Sequence, residues 1–342
     1  MATTQQRQTQ QQASSSRRRP ARAVAALAAA ALLAGTTAVT AFRVADADGP
    51  TPVPQLLAFL PWLAVPAGLG LLGALLARRR VLAVWGAALV ALLAWYTVPR
   101  GGDHDPAGSP VADLRVLTAN LQFGQAVGPL VDLVRQERPD LVFVQECDPA
   151  CMDALTSRLT ATHPHRRAVA GGGPVGSVIH SRLPLTAAAG VPASMGQPGA
   201  VIEVAGHQVR LQLAHPSPPI PERLTTWRAE LEDLRHWAGE RAAAGNAEAV
   251  AEDTPVILAG DFNASRDHAA FRRLLDDGGL NDAAALAGAA RRATWPVTGA
   301  PAPGVQIDHV LVSPAFTARD ARFPAMEGSD HRAVLVTLTL HR

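Results

Sequence analysis

The chain has 342 residues, enough for one large domain or two ordinary ones, and its net charge of +2 conceals two unlike parts. Residues 1–100 contain ten Arg and two Asp, a net charge of +8, whereas residues 101–342 contain 21 Arg against 27 acidic residues, a net charge of −6. The acidic balance of the larger part disfavours a general nucleic-acid binder, and two cysteines are too few for a cysteine zinc site.

The N-terminal part reads as a tail followed by a membrane anchor. Residues 1–22 are rich in Gln, Ser and Thr and end in a cluster of arginines, which predicts a disordered basic tail. Within residues 23–100, three runs without charged residues cover 24–42, 56–77 and 81–98. Each is close to the ~20 residues that cross a bilayer as a helix, so we expect three transmembrane helices that contact membrane lipids.

The arginines predict the orientation of this anchor. One cluster, Arg17, Arg18, Arg19 and Arg22, precedes the first run, and Arg78–Arg80 separate the second run from the third. Positive residues stay on the cytoplasmic side, so a multi-pass protein of the cell membrane with its C-terminal domain outside is expected. Two alternatives are a signal peptide in the first run, and a buried helix pair of a soluble domain in the other two.

Beyond a Gly- and Pro-rich linker at residues 101–110, the pattern becomes that of a mixed α/β domain over residues 111–342. Short runs rich in Val, Ile and Leu predict strands, and amphipathic segments at 128–137 and 223–241 predict helices. The strand runs are 114–117, 141–145, 175–180, 209–214, 255–259, 306–312 and 333–338. Helices are expected to cover the faces of the sheets.

Polar residues follow the ends of these predicted strands. They comprise four carboxylates, two carboxamides and two imidazoles: Asn120, Glu146, His215, Asp261, Asn263, Asp308, Asp330 and His331. Loops at strand ends are held by a rigid scaffold and commonly carry functional groups. If these side chains converge, they form a site for a hard divalent cation such as Mg²⁺ or Mn²⁺. Each motif alone is also typical of an ordinary turn.

The motif series resembles the endonuclease/exonuclease/phosphatase superfamily, which is DNase I-like. The resemblance rests on Asn120, Gln145-Glu146, His215, Gly260-Asp261-Phe262-Asn263, Asp308 and Ser329-Asp330-His331 in this order. It implies a four-layer sandwich, two mixed β-sheets packed face to face with helices outside. It also implies a Mg²⁺-dependent hydrolase that acts on phosphoester bonds.

The resemblance also implies a role for each residue. Glu146 would hold the metal, with Asn120 and Asp330 beside it. Gln122 stands where some members have a metal-binding Asp, which implies weaker binding of a second metal.

The remaining roles implied by the resemblance concern catalysis. Asp261 would orient and deprotonate the attacking water, and Asn263 would donate a hydrogen bond to the phosphoryl oxygen. Asp308 would pair with His331, and His215 would assist the leaving oxygen.

Three functions remain open from the sequence. The first is a phosphoesterase that acts at the extracytoplasmic face, with a lipid-linked cell-envelope intermediate as a candidate substrate. The second is an extracytoplasmic nuclease, which the net charge of −6 disfavours. The third is a non-catalytic membrane immunity or binding protein. The anchor joined to this domain resembles actinomycete membrane proteins associated with teicoplanin resistance, which favours the first function.

Overall fold

The computed structural model describes residues 2–98, 106–240, 254–297 and 303–342. The chain forms two compact units. The first comprises Met1–Ala47 and Phe59–Val98, and the second comprises Asp48–Ala58 and Pro99–Arg342. The expected linker at 101–110 lies partly outside the described residues. The expected division near residue 100 differs from the structure in one respect, because Asp48–Ala58 belongs to the C-terminal unit.

The N-terminal unit is helical, with α1 at Ala2–Val44, α3 at Ala64–Leu76 and α4 at Arg80–Thr97. Two segments, Arg22–Val44 and Arg80–Thr97, are long and apolar enough to cross a membrane. The expectation of three such helices is not confirmed in the described residues, because the third apolar segment, Leu60–Leu76, is shorter than the other two.

Proline explains how the second apolar run is divided. Helix α2, Val53–Ala58, ends before a 3-10 turn at Leu60–Leu63 that contains Pro61. Proline has no N–H to continue the helical hydrogen bonds, so a single long helix does not form.

Helix α1 begins at Ala2 and so extends through the segment 1–22, for which the expectation of a disordered tail remains a prediction.

The C-terminal unit contains two six-stranded sheets. The first has the order β11-β12-β1-β2-β4-β3, and the second has the order β5-β6-β7-β8-β10-β9. The strands are β1 Pro110–Asn120, β2 Leu141–Gln145, β3 His165–Val169, β4 Ser177–Ser181, β5 Thr186–Ala188, β6 Gly199–Val204, β7 His207–Ala214, β8 Val256–Asp261, β9 Asn281–Asp282, β10 Asp308–Val312, β11 Phe316–Arg322 and β12 Val334–His341. Both sheets are mixed: β1 and β2 are parallel, as are β7 and β8, and their other pairs are antiparallel.

Besides α2, the described part of this unit contains five α-helices: α5 Val127–Glu137, α6 Pro149–Leu159, α7 Leu224–Gly239, α8 Ala269–Asp277 and α9 Ala283–Leu286. One buried cluster joins the facing sides of both sheets, including Phe143 and Val310. A second packs α5 and α6 on the first sheet, and a third packs α7 and α8 on the second sheet through Trp227 and Phe271. The expected α/β class, with two mixed sheets flanked by helices, is confirmed.

The two parallel strand pairs direct four chain segments to one end of the sandwich. In the first sheet, Asn120 pairs with Gln145 at the carboxyl ends of β1 and β2. In the second sheet, Ala214 pairs with Gly260 near the carboxyl ends of β7 and β8. Parallel strands end at the same edge, so the loops that follow them meet there. We call this edge the catalytic end.

Candidate active site

The carboxamide of Asn120 links the two sheets at the catalytic end. Its Nδ2 donates to Glu146 Oε1 and to Asp261 Oδ2, both over 3.1 Å. Asn120 is fully buried, so these bonds replace water that its amide would otherwise bind. A carboxylate after β2 and a carboxylate after β8 are therefore held on either side of one amide group.

Glu146 is held by its backbone neighbours as well as by Asn120. Its Oε2 accepts the backbone N–H of Phe123 over 3.1 Å. Its own backbone has φ of +53°, in the left-handed region that residues with a Cβ rarely adopt. Cys147, the next residue, forms a disulfide with Cys151. The Glu146 carboxylate is thus fixed where β2 leaves the sheet.

Asp308 and His331 form a buried pair. His331 Nδ1 donates to Asp308 Oδ2 over 2.9 Å, and its Nε2 lies 3.8 Å from Asp261 Oδ2. Asp330 Oδ1 lies 3.9 Å from the same Nε2. The ring therefore faces three carboxylates, with one of them as a direct hydrogen-bond acceptor.

Asn263 and His215 line the side formed by the second sheet. The Asn263 N–H donates to Asp261 Oδ1 over 2.8 Å, and its Nδ2 donates to the carbonyl of Pro216 over 3.0 Å. His215 is buried, and its backbone N–H donates to Gln197 Oε1 over 2.8 Å. Among the described residues, its ring Nδ1 has no hydrogen-bond partner.

All eight residues expected from the sequence lie at this end, but they are joined to different degrees. Six belong to one network of hydrogen bonds and ion pairs: Asn120, Glu146, Asp261, Asp308, Asp330 and His331. Asn263 joins this network through its backbone N–H. In the described part of the chain, His215 forms no hydrogen bond to this network, but it lies close enough for the charge of His331 to lower the pKa of its ring.

Burial and neighbouring charges shift the protonation of these groups. Burial, followed by the charge of Asp308, raises the pKa of Asp261 above its usual range. Burial also raises the pKa of Glu146. Although burial opposes the imidazolium form, Asp308 and Asp261 raise the pKa of His331. Burial and the nearby His331 lower the pKa of His215 to about 4, so its ring is neutral at neutral pH in the protein alone.

The donor set fits a hard divalent cation. Three carboxylates face the His331 ring, and Glu146 joins them through Asn120. The buried Oδ1 of Asp308 has no partner among the described residues. Asp261, Asp308 and His331 offer ligand atoms within 4.8 Å of one another. This trio differs from the set expected to hold the metal, which was Glu146, Asp330 and Asn120. As metal ligands we favour the expected set, Glu146, Asp330 and Asn120, because Mg²⁺ prefers oxygen ligands. In the other set, Asp308 Oδ2 and His331 Nδ1 already bond each other.

Several residues that position the site were not predicted from the sequence. The Ser329 hydroxyl donates to the Asn120 carbonyl over 2.8 Å and accepts the His331 N–H over 3.0 Å. Thr294 Oγ1 accepts the N–H of Asp308 over 3.2 Å. Ser329 stands within a recognisable motif, whereas Thr294 carries no signal in the sequence beyond its place before Trp295.

A second histidine–carboxylate pair supports the loop after β8 from behind. His309 Nδ1 lies 3.1 Å from Asp282 Oδ2, and its Nε2 lies 3.1 Å from the carbonyl of Ala264. Both side chains are fully inaccessible to solvent.

The family model described as "Endonuclease/Exonuclease/phosphatase family" matches residues 117–331. No curated protein matches the chain. Among solved structures, a family protein from Bacteroides vulgatus is similar with a TM-score of 0.53 and 16% identity, over 67% of this chain and 100% of that chain. Humanised D. rerio TDP2 is similar at 0.52 and 19%, over 66% and 98%. The human Nocturnin catalytic domain with bound sulfate is similar at 0.52 and 18%, over 69% and 97%.

Proposed function

The chain belongs to the endonuclease/exonuclease/phosphatase family, and from this premise we propose that it is a membrane-anchored phosphoesterase, dependent on Mg²⁺ or Mn²⁺, with its active site on the extracytoplasmic side. Family members are hydrolases that act on phosphoester bonds. The observation that carries the proposal is the bridge of Asn120 between Glu146 and Asp261, 3.1 Å from each. It supports the proposal because it holds the carboxylate that we assign to the metal next to the carboxylate that we assign to the attacking water.

The chain's own groups divide the work of hydrolysis. Glu146 and Asp330 would hold a divalent cation, which would neutralise charge on the phosphoryl group. Asp261 takes the proton of the attacking water, and its raised pKa makes it a stronger base than an ordinary carboxylate. His331, held as imidazolium by Asp308, places a positive charge beside the phosphoryl oxygens.

Asn263 and His215 face the same phosphoryl group. One amide N–H of Asn263 binds Pro216, which leaves the other to donate to a phosphoryl oxygen. His215 is neutral in the protein alone. An anionic phosphoester beside it would favour its protonated form, which would allow it to donate a proton to the leaving oxygen.

The membrane part of the proposal rests on the apolar helices and their arginines. Arg22–Val44 and Arg80–Thr97 have the length and composition of membrane spans. Leu60–Leu76, with 17 residues, is at the lower limit for crossing a bilayer. If it crosses, Arg78–Arg80 and the N-terminal arginines share the cytoplasmic side.

Two features of the C-terminal unit support the outward orientation. Asp48–Ala58, which follows the first apolar helix in sequence, belongs to this unit and therefore lies on the same side of any membrane. The Cys147–Cys151 disulfide is of a kind that persists in oxidising compartments. Both agree with a domain outside the cytoplasm.

The surface of the catalytic end favours an amphipathic substrate. In the described part of the C-terminal unit, five large apolar side chains are exposed, and all but Val111 lie at this end: Leu56, Phe123, Val169 and Ile220. Phe123 follows β1 directly, and Ile220 lies on the loop after β7. We call these four residues the apolar rim, and exposed apolar side chains suit a lipid-linked phosphoester. The net charge of −6 beyond residue 100 disfavours nucleic acid.

The test uses the full-length protein in detergent, because residues 48–58 belong to the C-terminal unit and a shorter C-terminal fragment would lack them. With Mg²⁺ or Mn²⁺ it should hydrolyse bis-p-nitrophenyl phosphate, and Asp261→Asn should abolish the activity. Asp132→Asn is the matched control, since its side chain is 78% exposed on α5. Equal activity in both variants would overturn the proposal. Comparing a polyprenyl phosphoester with plasmid DNA then distinguishes a lipid-linked substrate from nucleic acid.

A further inference from the structure

Residues 48–58, which we call the strap, belong to the C-terminal unit. In sequence, about 40 residues of mostly helical chain separate them from the rest of that unit. Asp48 is only 7% exposed, and Pro54 and Leu57 are buried. In sequence the strap connects the first apolar helix to the second. The C-terminal unit is therefore assembled from two separate segments of the chain.

Asp48 caps helix α8. Its Oδ1 accepts the N–H of Ala269 over 2.7 Å, and its Oδ2 accepts the N–H of Ala270 over 3.0 Å. Free N–H groups at the start of a helix need acceptors, and a carboxylate there also favours the helix dipole. The residue before the helix, His268, supplies no side-chain cap. The strap thus provides the acceptor that the local sequence lacks.

Pro54 completes the contact with the same loop. The Nε2 of His268 donates to the Pro54 carbonyl over 2.8 Å, while its Nδ1 accepts the N–H of Ser265 over 2.9 Å. His268 is fully buried, and its ring packs edge-on against Trp227 at 5.1 Å. The loop that connects Asp261 and Asn263 to α8 is therefore bound to the strap at both His268 and Ala269.

Gln55 connects the strap to the loop after β7 in the second sheet. Its Nε2 donates to the carbonyl of Pro219, three residues beyond Pro216, whose carbonyl accepts the Asn263 amide. The strap consequently contacts both the loop after β7, which bears His215, and the loop after β8, which bears Asp261.

We propose that the strap fixes the positions of the loops after β7 and β8 relative to each other. In this proposal Asp48 is the positioning residue for Asp261 and Asn263. This inference rests on the proposed phosphoesterase function. The anchor then has a second purpose, because the loop between its first two apolar helices completes the active site. A C-terminal fragment beginning near residue 106 would have all eight site residues and lack their support.

The experiment compares Asp48→Ala, Asp48→Asn and Asp140→Ala in the full-length protein with bis-p-nitrophenyl phosphate and Mg²⁺. Asp140 is the matched control, since its carboxylate also accepts a backbone N–H, that of Arg115, but lies before β2 at the far end of the sheet. Asp48→Ala should lower kcat about 10- to 100-fold with little change in KM, the scale expected for a displacement of about 1 Å. Asp140→Ala should lower the melting temperature and leave kcat intact.

Hydrogen exchange supplies a readout independent of activity. Amides of residues 261–270 should exchange faster in Asp48→Ala than in Asp140→Ala. If Asp48→Ala does not fold, Asp48→Asn decides: it retains one acceptor oxygen for two N–H groups, so a several-fold lower kcat is expected. A kcat for both Asp48 variants equal to that of Asp140→Ala would overturn the proposal. A wild-type protein inactive on every phosphoester would instead overturn the proposed function, and exchange confined to 261–270 would still support the strap.

Discussion

His331 donates from Nδ1 to Asp308 over 2.9 Å, and the opposite ring nitrogen lies 3.8 Å from Asp261. One imidazole therefore lies between a carboxylate that orients it and the carboxylate to which we assign the attacking water. The Asp308 hydrogen bond requires a proton on Nδ1, which directs Nε2 towards the reacting group. Asp308 comes from β10 and His331 from the segment before β12, so each sheet supplies one member of the pair.

Asp308→Asn should lower kcat by about 10²- to 10⁴-fold, the range associated with acid–base groups. The amide no longer stabilises the imidazolium, and its NH₂ group can force the wrong tautomer. Steady-state kinetics on bis-p-nitrophenyl phosphate measure the effect. Asp320→Asn, on the exposed ion pair with Arg322, is the control and should change the rate little. A rate in Asp308→Asn equal to the control would remove the pair from the mechanism.

The pH profile of kcat/KM should be bell-shaped. Asp261 acts as a base only when ionised, and its raised pKa places the acidic limb above that of an ordinary carboxyl. His331 is active as the imidazolium, and its raised pKa places the alkaline limb above that of an ordinary histidine. Since a divalent cation favours carboxylates, more Mg²⁺ should move the acidic limb to lower pH. His331→Gln should lose the alkaline limb; a variant that retains it would contradict this assignment.

The sequence predicted the parts of the fold that follow simple patterns. All seven predicted strand runs overlap observed strands, because β2, β8 and β12 are almost wholly apolar. Strands β3 and β11 were not predicted, since Arg and Asp residues interrupt their apolar pattern. Helix α6 was also not predicted, although Asp148 caps it and Pro149 begins it.

The site was predicted through motifs that follow strands, and its supports were not. Asp261 and Glu146 stand directly at strand ends, where the pattern of the chain marks them. Asp48 lies 213 residues before Asp261 in the sequence, and nothing local relates the two. Long-range contacts of this kind depend on how the layers pack, which hydrophobic periodicity does not encode.

Metal binding should stabilise the C-terminal unit. Burial raises the pKa of Glu146 despite its hydrogen bonds from Asn120 and Phe123, so a bound cation should stabilise its charged form. Mg²⁺ or Mn²⁺ at about 100 times its Kd should add about 2.7 kcal/mol to the free energy of unfolding. Thermal melting with and without EDTA measures this change. Glu146→Gln should lose most of the increase, whereas Glu203→Gln, an exposed residue on β6, should retain it. Equal melting temperatures with and without metal would contradict the assigned site.

The Cys147–Cys151 disulfide provides a test of location. If the domain is extracytoplasmic, both thiols should be oxidised in protein isolated from cells. In denaturant, a maleimide should label neither cysteine until a reductant is added, and mass spectrometry reads the result. Labelling without reductant would place the domain in a reducing compartment. The bond closes a loop of only a few residues, so its removal should cost about 2 kcal/mol.

Phe123 should contribute to binding of a lipid-linked substrate. Phe123 is 52% exposed, and its backbone N–H donates to Glu146, so an apolar chain next to the bound phosphate would lie near it. Burying such a side chain is worth about 1.5–3 kcal/mol. Phe123→Ser should therefore raise KM for a polyprenyl phosphoester about 10- to 100-fold and leave KM for bis-p-nitrophenyl phosphate unchanged. Val111→Ser is the matched control, because Val111 is an exposed apolar residue near the start of β1, at the opposite end of the same strand. If Phe123→Ser affects both substrates equally, or affects neither, the apolar rim does not select the substrate.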